Sequence, residues 1–198
     1  DEDWIMPEEG RVSFVSGEVF INNNRGDVGD TVREGDVVKT GDNSEAEIEI
    51  RDYAVFLIKE NSTVLLEDVF SSPKVEVKKG WFLAIIKRET LFEVGTPLVL
   101  AGVRGTVLFV NVLNDEEAYL CDCNGKVDLE DTATGDVVQN IVSNYHKAFT
   151  LNRRSDGLGI ERAKLLYHND SDILQMADRF NRETMVFRNK AKEKKSGY

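Results

Sequence analysis

Cys121 and Cys123 are the two cysteines of this chain, and His146 and His168 are its two histidines. All four soft donors therefore fall between positions 121 and 168. Two thiolates and two imidazoles make a complete tetrahedral set for zinc or another transition metal. The cysteines sit in Tyr119-Leu120-Cys121-Asp122-Cys123-Asn124-Gly125. If that segment is a strand, alternation puts both thiols on one face. Asp170 and Asp172 lie close to His168 in sequence and are candidates to orient a ligating imidazole from behind. The spacing pulls the other way. C-x-C lacks the loop that usually separates paired cysteine ligands, and the histidines are 22 residues apart. It favours structural or redox-inert cysteines, either small buried hydrophobes or a strained pair bridged in an oxidising compartment. A metal site at Cys121, Cys123, His146 and His168 is carried as the alternative.

Other chemistry is thin. The chain has no G-x-S-x-G elbow, no phosphate loop and no H-E-x-x-H. Asp27-Val28-Gly29-Asp30 and Gly41-Asp42-Asn43-Ser44 offer oxygens but no EF-hand pattern. The expectation is a protein that is not an enzyme and carries no organic cofactor.

The elements that must position these residues read as strands. Ala46, Ile48 and Ile50 alternate with Glu45, Glu47 and Glu49, a half-buried strand with an acidic outer side. Tyr53 to Ile58 is almost continuously apolar, as a strand covered on both faces is. Val75 and Val77, Trp81 to Ile86, Leu98 to Leu100, Thr106 to Leu113, Ala118 to Cys121 and Lys126 to Leu129 follow, with Gly80 as a turn residue. Such spacing predicts an all-β body, either a β-sandwich or a wound β-solenoid of short strands. After about residue 150 the pattern changes. Ile160 to Tyr167 reads as a short helical piece, and Asn169-Asp170-Ser171 supplies cap chemistry for a helix over about 170–182. Thr184 to Arg188 reads as a last strand. The organisation expected is a lead-in over 1–10 around Trp4-Ile5-Met6, a β domain over 11–144, and a mostly helical extension over 145–198.

The phrases that punctuate the β body carry a resemblance. They are Gly17-Glu18-Val19, Gly35-Asp36-Val37-Val38-Lys39-Thr40-Gly41, Ser44-Glu45-Ala46-Glu47-Ile48, Asn61-Ser62, Gly80, Thr96-Pro97, Arg104-Gly105-Thr106 and Gly125-Lys126-Val127. In that order and spacing the chain resembles the FecR domain, an all-β module of bacterial cell envelopes, over about Gly17 to Leu129. One departure is Asp52-Tyr53-Ala54, where the family's D-G-S hairpin would put a glycine. The phrases read as scaffold: Gly35, Gly41 and Gly105 as residues in backbone conformations closed to others, and Arg104 as a partnered structural arginine. The resemblance implies an extracytoplasmic location and work done through protein contact. In the best-known members the domain relays a receptor's state to a sigma factor across a membrane helix, and that role is not carried over.

Charge and hydropathy bound the partners. A net charge of −11 excludes nucleic acid for the body of the protein. No run of about 18 apolar residues exists, so no membrane-spanning helix is expected. The start at Asp1, with no secretory apolar region, is what removal of a signal peptide or trimming leaves, and the expected location is periplasmic or extracellular. Residues 190–198 hold four lysines and one glutamate. The leading functional expectation is a non-enzymatic envelope protein that works through protein contact, and the basic tail beside an acidic body, being self-complementary, makes assembly with itself as a homo-oligomer or filament one version of it. The second is a metal- or redox-responsive regulator built on the cysteine and histidine set.

Overall fold

The computed structural model describes residues 10–68, 72–177 and 180–196. Trp4-Ile5-Met6 and most of the lead-in lie outside them. The strands are β1 (Gly10–Ser16), β2 (Val19–Ile21), β3 (Asn24–Arg25), β4 (Thr31–Val32), β5 (Val37–Thr40), β6 (Glu45–Ile50), β7 (Ala54–Ile58) and β8 (Thr63–Asp68). They continue with β9 (Lys74–Ile86), β10 (Leu91–Gly95), β11 (Val99–Arg104), β12 (Val107–Asn114), β13 (Glu117–Asp131), β14 (Val137–Ser143), β15 (Lys147–Arg154) and β16 (Gly157–Ala163). Two helices follow, α1 (Asp170–Gln175) and α2 (Asn181–Ser196).

These strands form a two-layer sandwich. One layer runs β4-β1-β6-β7-β9-β12-β13-β15-β16. The other runs β3-β2-β5-β8-β9-β10-β11-β13-β14, with β9 and β10 parallel. β9 and β13 belong to both. Lys74–Lys79 of β9 pairs in the second layer and Gly80–Ile86 in the first. In β13, residues 117–124 pair in the first layer and 125–131 in the second. Gly80, expected as a turn, and Gly125, between runs read as separate strands, are bends within single long strands.

The bends explain two of the glycine phrases. Gly80 has φ +86°, and a Cβ there would lie 2.4 Å from Ser62 Oγ. That hydroxyl accepts the Trp81 N–H at 2.8 Å. Gly125 has φ +146°, and its Cβ would lie 2.2 Å from Thr106 Oγ1, which donates to the Asn124 carbonyl at 2.7 Å. In each case a hydroxyl from a neighbouring corner fills the space that a side chain would need. Gly35 and Gly105 have positive φ as expected, whereas Gly41 is absent from the positive-φ residues and instead packs beside Glu18. Arg104 is exposed rather than held in a buried pair. The Asp52 departure is met by a three-residue connection with Arg51 at φ +48°.

Two apolar cores result. The larger lies between the layers and includes Val38, Ile48, Phe56, Phe82, Phe92 and Leu120. The smaller lies on the outer side of the first layer, where Leu57, Leu83, Phe109 and Tyr119 meet Ile173 and Phe187 of the C-terminal segment. β7 and the second half of β9 are sandwiched between the two cores, which is why their residues are apolar without alternation.

The C-terminal region departs from expectation in three places. Ile160 to Tyr167 is not helical: β16 pairs with β15 as far as Ala163, so strands run well past residue 144. The single helix over 170–182 is two helices. Thr184 to Arg188 is the second turn of α2 and not a strand. Its β-branched composition favours a strand locally, but Phe180, Thr184 and Phe187 recur at helical spacing and are all buried. Residues 190–196 of the basic tail lie in the same helix. No helix among the described residues is long and apolar enough to cross a membrane.

Candidate metal centre

β13 places Tyr119, Cys121 and Cys123 on the outer side of the first layer, while Ala118 and Leu120 face between the layers. Both cysteines are fully buried free thiols. The Cys123 thiol lies 3.6 Å from Cys121 Sγ. His146 arrives from the β14–β15 connection at φ +38°, its N–H fixed on the Cys123 carbonyl at 2.9 Å. That contact sets Nδ1 of His146 3.6 Å from Cys121 Sγ. His168 comes from the segment between β16 and α1, stacked on Phe109 with ring centroids 4.0 Å apart. Its Nε2 lies 3.2 Å from Cys123 Sγ. The four donor atoms all lie within 4.8 Å of one another.

The outward nitrogens decide what the inward ones can do. Nδ1 of His168 lies 3.0 Å from the Leu166 carbonyl, which can only accept, so that nitrogen carries the proton. Nε2 of His168 is then a lone pair aimed at the thiols. Nε2 of His146 lies 2.9 Å from Asp170 Oδ1, and the carboxylate fixes its proton in the same way. Asp170 is held in turn by the Tyr145 hydroxyl at 2.9 Å. Both imidazoles are thus oriented from behind, as metal-ligating histidines are.

The geometry fits a tetrahedral ion. Metal–sulfur and metal–nitrogen lengths of roughly 2.3 and 2.05 Å imply edges of about 3.8 Å between sulfurs and about 3.6 Å between sulfur and nitrogen. The sulfur–sulfur separation here is 3.6 Å, Cys121 Sγ lies 3.6 Å from His146 Nδ1, Cys123 Sγ lies 3.2 Å from His168 Nε2, and the remaining donor separations are within 4.8 Å. Without an ion, the Cys123 thiol donates to Cys121, and protons on the facing nitrogens of His146 and His168 add to that pull, which brings the Cys121 thiol down to about 4 against its burial; an ion would take the place of those protons. Burial pushes Cys123 up. A thiolate beside imidazole donors is a metal ligand in waiting.

Cys121, His146 and Asp170 also line up as nucleophile, base and orienting acid. Cys121 is buried beneath the C-terminal helices, however, and surface grooves around Phe92, Gly105 and Ser44 are lined by other residues.

Sequence reasoning named all four donors and the Asp170 carboxylate, and missed Tyr145, the Leu166 carbonyl and which ring each serves. Asp170 orients His146, not the adjacent His168, and Tyr145 and the Leu166 carbonyl complete the support. Asp172 instead bonds the Asn169 N–H at 2.8 Å, closing the α1 capping box, and pairs with Lys59. A polar neighbour of the opposite parity also went unnoticed. Asp122 faces inward, fully buried, with one oxygen on Thr106 Oγ1 at 3.1 Å and the other without a partner among the described residues. Burial pushes its carboxyl up to about 7.

The family model described as FecR protein matches residues 36–127. That stretch contains both cysteines and neither histidine. A search of curated proteins finds no match. Two crystal structures of a candidate anti-sigma factor from Parabacteroides distasonis ATCC 8503 are similar in fold. Each has a TM-score of 0.54 and 18% identity, covering 73% of this chain and 74% of that one.

Proposed function

Since this chain is a FecR-domain protein, we propose that it is a non-enzymatic envelope regulator that works through protein contact and answers to a transition metal held by Cys121, Cys123, His146 and His168. The observation that carries the metal-responsive part is the convergence of two thiols and two correctly oriented imidazole lone pairs within 4.8 Å. The family match and the fold shared with a candidate anti-sigma factor support the regulatory part.

The donor chemistry favours zinc. Two sulfurs with two nitrogens suit a borderline-soft ion of tetrahedral preference and reject magnesium and calcium, which want oxygen. All four donors come from the protein and the site is buried, so no position is left for a reacting water. When bound, the ion supplies a cross-link and a charge, not a Lewis acid for a substrate. The residues do the rest: Asp170 and the Leu166 carbonyl fix the imidazole tautomers, and Phe109 and Phe187 pack against the rings of His168 and His146.

The location that goes with this reading is periplasmic or extracellular, as the family suggests. Self-assembly by strand exchange loses its basis, because Thr184 to Arg188 lies in α2. What remains for it is the charge difference between body and tail.

Elemental analysis of the purified chain, reconstituted with zinc and desalted, tests the reading. One equivalent of zinc is expected in the wild type and a clear loss in Cys123→Ser. A wild type that retains no metal, or a variant that retains as much, removes it.

A further inference from the structure

Resting on that metal reading, we propose that the centre is a latch, holding the C-terminal segment 164–196 as a lid over the outer face of the first layer, so that loss of the ion frees the lid while the sandwich stays folded.

The parentage of the donors is the first support. Cys121 and Cys123 belong to β13 and His146 to the turn before β15, all parts of the body. His168 alone comes from the lid. Asp170, also from the lid, reaches back to His146. Of the four corners of the site, three are body and one is lid, so the ion is a cross-link between the two.

The second support is the kind of tie that holds the lid, which is side chains and single hydrogen bonds in place of a ladder. Among the described residues no strand ladder joins 164–196 to the sheets. Polar side chains of the body also reach α1, where Lys59 pairs with Asp172 and Tyr145 and His146 bond Asp170, and Asn124 Nδ2 donates to the Glu183 carbonyl at 3.4 Å; the remaining ties lie at two ends. At the first, Trp81 Nε1–H donates to the Tyr167 carbonyl at 2.8 Å, and the Tyr119 hydroxyl donates to the Lys164 carbonyl at 3.0 Å and accepts from Leu166 N–H. At the second, the Arg88 N–H donates to the Glu183 carboxylate at 3.1 Å. Between them α1 has only six residues, too few to hold helical form without a surface beneath it. The latch sits beside the first end, at the point where the lid leaves β16.

The third support is that the body does not need the lid. Among the described residues, the core between the layers draws on positions up to Ile160 and on none beyond. The lid contributes only to the second core, where Ile173, Met176, Phe180 and Phe187 cover Leu57, Leu83 and Phe109. Opening would therefore be a local event, of the kind that a segment with its own contacts and few shared ladders undergoes. It would uncover a face carrying Trp81, Phe109 and Tyr119, all now at least nine-tenths buried.

Hydrogen–deuterium exchange on the full chain, zinc-loaded and stripped by a chelator, reads this out, with the metal content of each sample measured alongside. Stripping is expected to raise exchange across 164–196 by about tenfold or more, with amides of β7, β9 and β12 unchanged. His168→Gln in the presence of zinc is expected to exchange in the lid like the stripped wild type. If zinc binds stoichiometrically and lid exchange does not respond, the latch is wrong and the metal reading survives. A rise of equal size throughout the sheets also overturns the latch, because the ion would then hold the whole fold. If no zinc binds, both fall, and the elemental measurement says so.

Discussion

Replacing Cys123 with serine should remove most of the stability that zinc confers. The side chain is fully buried, with Sγ 3.6 Å from Cys121 Sγ and 3.2 Å from His168 Nε2. A serine oxygen there is shorter in reach and harder as a donor. Deleting a partner behind a ligand costs about 10–100-fold in affinity, so exchanging the ligand itself should cost roughly 100-fold or more. At free zinc 100 times the wild-type Kd, binding stabilises the wild type by about 2.7 kcal/mol, and a 100-fold weaker variant by only about 0.4 kcal/mol. For a chain of this size each kcal/mol moves Tm by about 2–4 °C. The wild type should therefore gain about 5–11 °C on zinc addition and the variant about 1–2 °C. Calorimetric melting of chelator-treated protein, with and without buffered zinc, measures both. Equal shifts in the two proteins, or none in the wild type, would refute the assignment of Cys123 as a ligand.

Gly125→Ala should destabilise the sandwich by roughly 3 kcal/mol or more, since the new Cβ would stand 2.2 Å from Thr106 Oγ1 at a backbone angle hostile to alanine. Denaturant titration checks it, and a loss under about 1 kcal/mol would mean that the bend in β13 is soft. Asp131 is held below the usual carboxylate range by its bonds from Arg153 at 2.7 and 2.9 Å. A depressed folded pKa means that the stabilisation is present above the unfolded value, near 3.9, and is lost as pH falls through the folded one. The wild type should thus exceed Asp131→Asn by about 1–2 kcal/mol at pH 6, with the gap closing below about pH 4. A gap that stays constant with pH would show that the pair acts through shape rather than charge.

The β body was legible because its punctuation is local. A glycine, a hydroxyl residue and an alternating run each announce a corner or strand within a few positions. The alternation at Glu45–Ile50 and the unbroken apolar run before Ile58 describe β6 and β7 directly. What stayed hidden was contact between distant segments. Nothing near Gly80 says that Ser62 will sit beneath it, so one bent strand reads as two. Nothing near Thr184 says that Phe187 will be buried against Tyr145 and His146, so a helix reads as a strand. The metal set shows the same division. Its four donors could be named from residue type, but the ligand spacing counted against them. Spacing rules describe sites closed by a short loop. Here the ring is closed by β15, β16 and the lid, and only the fold reveals it.

The bent strands also fix how the layers can move. Each of β9 and β13 is bonded on both flanks in both layers, so sliding one layer past the other would break ladders at four places at once. The sandwich is therefore braced against shear in the way that two floors are braced by shared beams. Cys123 sits two residues from the bend of one of these beams, at Gly125, so the thiol is held to a stiff frame rather than to a flexing sheet edge.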